Sequence, residues 1–250
     1  FTCGTTKHIA NAINKYVSGD KHTYESPVFD ADDSKLVDEM INQSSDADRL
    51  CFVLHGMSER GRRFYMGRGN NKRPTAFSCE LMKRFQKASL AAGLCCHGAR
   101  FVGLDRDDSM MMTALFDTNI VAFMGSTNAV DGTMSFDDGF NKHGNLHFGE
   151  LLLQSYLRLL DNGCPVGESL FKAKSKVREH FLHVFSGNSE PMTLRKSLTT
   201  LYEFGIYGDP FIVISSKDYT LDLASVINDT KATAQSVLHG INGAGIFKAA

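Results

Sequence analysis

No apolar stretch of this 250-residue sequence reaches the roughly 18 residues a membrane-spanning helix takes, which excludes a helical span. A surplus of either charge is also missing. There are 27 Lys and Arg against 28 Asp and Glu, for a net charge of −1. A nucleic-acid or anionic-membrane partner would leave a basic footprint, so neither is expected. Proline is scarce, at 5 residues, and no Pro/Gly linker, repeat or low-complexity tract breaks the chain. Cysteine is sparse, at 6 residues, too few for a disulfide scaffold. Cys95 and Cys96 are adjacent and do not readily bridge each other, and zinc-type Cys/His spacing is missing. Reduced and mostly buried thiols are expected, with a lean towards a reducing setting. The chain begins at Phe1 and reads as a processed or excised piece, which leaves its compartment open.

What is present is an ordinary globular composition, 42% hydrophobic and 22% charged. A chain of this length buries roughly three quarters of its unfolded surface without staples. One domain is expected over residues 1–217, followed by a C-terminal appendage, 218–250.

Hydrophobic periodicity sets the elements. Helices are expected at Thr6–Val17, Ser34–Ile41, Cys79–Ala88, Met110–Phe116, Leu146–Leu160, Val166–Phe185 and Leu194–Phe204. Continuous apolar runs at Leu50–Leu54, Ser89–Cys96 and Asn119–Met124 suit strands buried on both faces. Residues 22–29 look extended, Phe64–Met66 suits a short strand inside a polar loop (57–76), and Phe211–Ile214 reads as the last strand. Strands alternating with helices predict a mostly parallel sheet covered on both faces, a three-layer αβα arrangement.

Ligands in such folds sit at the carboxyl ends of the strands. Three expected strands end there in small or reactive residues: His55-Gly56, Cys96-His97-Gly98 and Gly125-Ser126-Thr127. A thiol and an imidazole on neighbouring loops form a nucleophile–base pair. Glycine beside each lets the backbone turn sharply and lets a substrate approach closely. The backbone N–H groups of Gly56 and of the nucleophile would hold a developing oxyanion.

These residues carry a family resemblance. Leu54-His55-Gly56 followed by Leu94-Cys95-Cys96-His97-Gly98 resembles the His/Cys dyad of the caspase-like cysteine peptidases, the group of caspases, metacaspases, legumains, gingipains and separases. The distal half is most similar to the gingipain family, through Asn119–Thr127, Phe148–Leu153, Val166–Leu170 and Tyr207-Gly208-Asp209-Pro210. The resemblance covers residues 30–215 and implies a caspase-like fold and a cysteine endopeptidase acting on protein or peptide, without cofactor or metal. It implies that His55 is the general base, that Gly56 supplies the oxyanion backbone, and that Gly125, Ser126 and Thr127 line the primary specificity pocket. The caspase-like spacing selects Cys96 as nucleophile and the gingipain-like spacing selects Cys95. Cys96, directly at the strand end, is favoured. Leu54 stands where gingipain-like chains carry Gly, and the chain begins after where the first sheet strand should be, so that strand is either supplied by another segment or removed.

Asp30, Asp32 and Asp33 are candidates to orient His55. Asp131, Asp137 and Asp138 would favour a basic substrate residue, and Arg60, Arg62, Arg63 and Arg68 an acidic one. His143 and His147 stand four apart, but Gly144 and Asn145 weaken a helix between them, so metal binding is not expected. Nor is it expected at His180 and His183. Two other functions compete. One is a catalytically silent caspase-like scaffold or binding domain. The other is a flavodoxin-like FMN binder, from Gly4-Thr5-Thr6 ahead of a helix whose N-terminus would take phosphate.

Overall fold

A computed structural model describes residues 1–3, 7–14, 23–26, 38, 41–42, 47–57, 63–65, 75–130, 148–185 and 191–214. Residues Phe1–Lys217 make one compact unit and Asp218–Ala250 a second. The expected appendage lies outside the described residues, as do Gly4–Thr6, most of the expected helix Ser34–Ile41 and the loop 131–144.

The strands are β1 (Thr2–Cys3), β2 (Glu25–Ser26), β3 (Arg49–Val53), β4 (Arg63–Tyr65), β5 (Thr75–Ser78), β6 (Leu90–Leu94), β7 (Ala122–Ser126) and β8 (Phe204–Gly208). The helices are α1 (Lys7–Asn14), α2 (Cys79–Met82), α3 (Met110–Asp117), α4 (Phe148–Asp161), α5 (Val166–Phe185) and α6 (Pro191–Glu203). Six strands form one sheet in the order β2-β1-β3-β6-β7-β8, and β4 and β5 form a separate antiparallel pair. Neighbours from β2 to β7 run parallel, and β8 alone runs antiparallel. The protein is therefore mixed α/β with a mostly parallel central sheet. No helix among the described residues is long and apolar enough to cross a membrane.

Every residue of β6 and β7 is buried, which explains why these strands are continuously apolar instead of alternating. Alternation appears instead as a choice between two cores. On one face, Leu50, Phe52, Ala91, Cys95 and Phe123 join an aromatic cluster with Phe64 and Phe77. Ring centroids there are 4.6 Å apart for Phe52 and Phe77 and 5.3 Å for Phe52 and Phe64. On the other, Val53, Leu90, Ala92, Leu94, Ala122 and Met124 meet α1, α4 and α5. α5 buries Val166, Leu170, Ala173, Val177 and Phe181, a single stripe at helical spacing. Each large side chain so buried stabilises the fold by about 1.5–3 kcal/mol.

A strand stands beside β3, supplied by the first residues of the chain: Thr2 pairs with Val53, and the Val53 N–H donates to the Phe1 carbonyl at 2.8 Å. Two expectations are corrected. The helix expected over Cys79–Ala88 stops after one turn. Ser78 caps its start, its Oγ accepting from the Leu81 N–H at 3.2 Å, and tighter turns at Arg84 and Phe85 then replace it. Phe85 and Ala88 produced the helical spacing because both are buried, as core residues of a loop.

The second correction concerns the last strand. Phe211–Ile214 is not a strand, and β8 occupies Phe204–Gly208 instead. Gly208 has φ +97°, and a Cβ there would fall 2.1 Å from the Val121 carbonyl oxygen, so only glycine ends the strand in this way. Asp209 then turns the chain, its Oδ1 accepting from the Phe211 N–H at 2.8 Å. The carbonyls of Pro210 and Ile212 accept from the N–H groups of Gly167 and Val166. This segment thus caps the start of α5, where helix donors otherwise lack partners.

Candidate active site

Parallel strands bring their carboxyl ends to one edge. The register Arg49↔Leu90 through Val53↔Leu94, continued two residues past the ladder, sets Leu54 opposite Cys95 and His55 opposite Cys96. Neighbouring strands lie about 4.8 Å apart. Because side chains alternate, the two pairs face opposite ways. Leu54 and Cys95 enter the aromatic core, where Cys95 is 1% exposed and its Sγ lies 3.9 Å from the Phe52 carbonyl. His55 and Cys96 are only half-buried.

The two loops meet backbone to backbone. A Cβ on Gly56 would lie 1.7 Å from the Cys96 carbonyl oxygen, so no side chain fits at this position. Neither the Gly56 nor the Cys96 backbone N–H has an acceptor among the described residues. The chain then turns tightly. The Gly98 N–H donates to the Cys95 carbonyl at 3.1 Å, and the Arg100 N–H to the His97 carbonyl at 3.1 Å. His97 adopts φ +54°, the one left-handed residue other than glycine among those described. That conformation costs an L-residue about 1–2 kcal/mol and persists only where neighbours hold it.

The loop after β7 supplies that hold. The His97 N–H donates to the Asn128 carbonyl at 2.8 Å. His97 Nδ1 stands 3.2 Å from the Thr127 carbonyl, which only accepts, so Nδ1 carries a proton and donates it there. Cys96 Sγ donates to the Val130 carbonyl at 3.6 Å. Gly125 and Ser126 are buried, and the Ser126 hydroxyl donates to the Asn128 carbonyl at 2.9 Å. Thr127 is half-buried.

The antiparallel β8 adds residues that the sequence reading missed. Because it runs backwards, its first residues arrive at the carboxyl edge, opposite Ser126. Glu203, the last residue of α6, accepts there from Asn128 Nδ2 at 2.8 Å. Burial pushes the Tyr207 hydroxyl up, and a hydrogen bond with Thr127 pulls it part of the way back. The signal available in the sequence was the Gly205-Ile206-Tyr207-Gly208 run, too rich in glycine to stand out as a strand.

Burial pushes Cys51 and Cys79 up to about 11, so they stay protonated at neutral pH. No group of His, Cys, Asp and Glu among the described residues could hold a metal ion. His180 is exposed on α5, and the side chain of His183 lies outside the described set. Asp30, Asp32, Asp33, Arg60, Arg62, Arg68, Asp131, Asp137, Asp138, His143 and His147 also lie outside it, whereas Arg63 begins β4. No protein-family model matches the sequence, and no curated protein matches it.

Proposed function

We propose that the protein is a cysteine endopeptidase of caspase-like fold, with His55 and Cys96 as its dyad. One observation supports this reading: the register of β3 and β6, continued past the ladder, gives His55 and Cys96 matching positions on adjacent strand ends, both half-buried, while Cys95 enters the core. The burial of Cys95 supports Cys96 as the nucleophile in this reading.

In the proposed reaction His55 takes the Cys96 proton, and the thiolate attacks the carbonyl carbon of the scissile peptide bond. A C–S bond forms and the carbonyl electron pair moves to oxygen. The Gly56 and Cys96 N–H groups, without acceptors among the described residues, suit that oxyanion, and one such donor is worth about 3–4 kcal/mol in comparable sites. Collapse of the intermediate breaks the C–N bond while His55 returns the proton to the leaving amine. Water, deprotonated by His55, then hydrolyses the thioester and restores the thiol. Thr127 lines the primary pocket, with Gly125 and Ser126 buried beneath it. Every step uses side chains and backbone of this chain.

A library of fluorogenic peptides, varied at the residue before the cleaved bond, tests the reading. Turnover is expected for one residue class, abolished by Cys96→Ala and by His55→Ala and retained by Cys95→Ala. Iodoacetamide at neutral pH should label Cys96 first, and His55→Ala should slow that labelling. Thiols that all react slowly in the wild type would overturn the assignment and favour the silent scaffold.

A further inference from the structure

We propose that Glu203 is a positioning residue for Cys96, acting through Asn128 and His97 as a hydrogen-bond acceptor and not as a charge. The inference rests on the peptidase reading and names a part of the site that neither the dyad nor the oxyanion donors include.

The residue after Cys96 sits in a backbone conformation that does not hold itself. His97 is left-handed, and the acceptors for its N–H and its ring both come from one short turn: the Asn128 carbonyl on its N–H and the Thr127 carbonyl on its ring. The same turn reaches the thiol through the Val130 carbonyl. Whatever fixes residues 127–130 therefore fixes the direction in which the Cys96 side chain and N–H point.

Tyr207 of β8 hydrogen-bonds Thr127, and two further interactions tie the turn to the α6–β8 junction through Glu203. Its carboxylate accepts from Asn128 Nδ2 at 2.8 Å, and its carbonyl accepts from the Thr127 N–H at 3.3 Å. Ser126 closes the turn from inside, its Oγ accepting from the Asn128 N–H at 3.2 Å. Glu203 is itself anchored, because Lys174 Nζ of α5 donates to the next carbonyl, that of Phe204, at 2.6 Å. Hydrogen bonds thus run from α5 through the α6–β8 junction and the 126–130 turn to the nucleophile. Glu203 forms no ion pair among the described residues, so its carboxylate serves this network. Removing the acceptor frees Asn128, which lets His97 relax towards negative φ and carries Cys96 out of line with His55. Chemistry of this kind is sensitive to displacements of about 0.5–1 Å.

The test uses the full chain and reads the second-order rate of iodoacetamide at Cys96, by peptide mass, as a function of pH. Cys79, a buried thiol of α2, is the internal standard for an intact fold. Glu203→Ala is expected to slow labelling at neutral pH by about tenfold or more and to move the midpoint of its pH profile upwards. Asn128→Ala, at an exposed position, is expected to do the same and carries the test if Glu203→Ala does not fold. Glu203→Gln keeps an acceptor and is expected to stay within about twofold of wild type. A Glu203→Ala or Asn128→Ala rate within twofold of wild type overturns the inference while leaving the peptidase reading intact. A Gln variant as impaired as Ala also overturns it, because the charge would then be what matters, as for an acid that reads substrate. A wild-type Cys96 no faster than Cys79 overturns the peptidase reading, and this inference with it.

Discussion

The two ends of the central sheet are built in opposite ways. At the end where the parallel strands begin, backbone groups are stitched in a row: the Ser89 N–H donates to the Asp48 carbonyl, Val121 to Ser89, and Asp209 to Val121. Arg49, the first residue of β3, reaches Asp161 at the end of α4, N to O 2.7 Å, with that carboxylate 5% exposed. At the end where the strands finish, two adjacent loops leave N–H groups without acceptors among the described residues, and a non-glycine residue is left-handed. Polar groups saturated at one end give rigidity, and polar groups held ready at the other can be used by a ligand. The rigid end sets the register that gives His55 and Cys96 matching positions past the ladder, so strand pairing far from the candidate chemistry bears on its geometry.

The first way to break this comparison is to damage the saturated end. Asp161→Ala leaves the Arg49 guanidinium half-buried without its strongest partner, and breaking such a pair destabilises by about 3–5 kcal/mol when fully buried. Arg49 keeps some exposure, so the lower figure, about 3 kcal/mol by urea denaturation, is expected. Among molecules that remain folded, the ratio of Cys96 to Cys79 labelling should hold. A variant that kept its stability but lost Cys96 reactivity would show that the two ends are not separable in this sense.

The second way acts on the open end. Gly56→Ala introduces a Cβ that must displace the Cys96 backbone, and overpacking of that kind costs about 1–3 kcal/mol. The smaller loss of stability should accompany the larger loss of function, with Cys96 labelling and peptide turnover both falling by about a hundredfold or more. Unchanged turnover would mean that close backbone contact between the two loops plays no part in the chemistry.

The same contrast explains what the sequence discloses. The apolar runs Leu50–Leu54 and Leu90–Leu94 are buried on both faces, and burial is written locally as composition, so β3 and β6 were legible, and with them the strand ends that carry His55 and Cys96. β7 was legible for the same reason, though it starts at Ala122 and not at Asn119. β8 was not. Phe204–Gly208 holds two glycines, and its pairing with β7 is a long-range event with no local mark. The apolar run Phe211–Ile214 looked more like a strand, yet Gly208 and Asp209 turn it away and leave Phe211 84% exposed. Glu203 and Asn128 were missed for the same reason, since their meeting depends wholly on that antiparallel return.

The mildest test exploits a thiol at neither end. Cys79 is buried at the start of α2, and its ordinary value of 9.0 is pushed up to about 11 chiefly by desolvation, against a hydrogen bond with Thr113. The folded state disfavours the thiolate relative to the unfolded chain, which titrates near 9. Its contribution to stability is therefore complete below about pH 9 and is lost progressively as the pH rises towards about 11. Urea midpoints measured across that window should fall more steeply for the wild type than for Cys79→Ala, which is less stable at neutral pH but has no such thiol to ionise. Parallel slopes would mean that water reaches Cys79 in the folded protein, and its use as the unreactive reference for Cys96 would then fail.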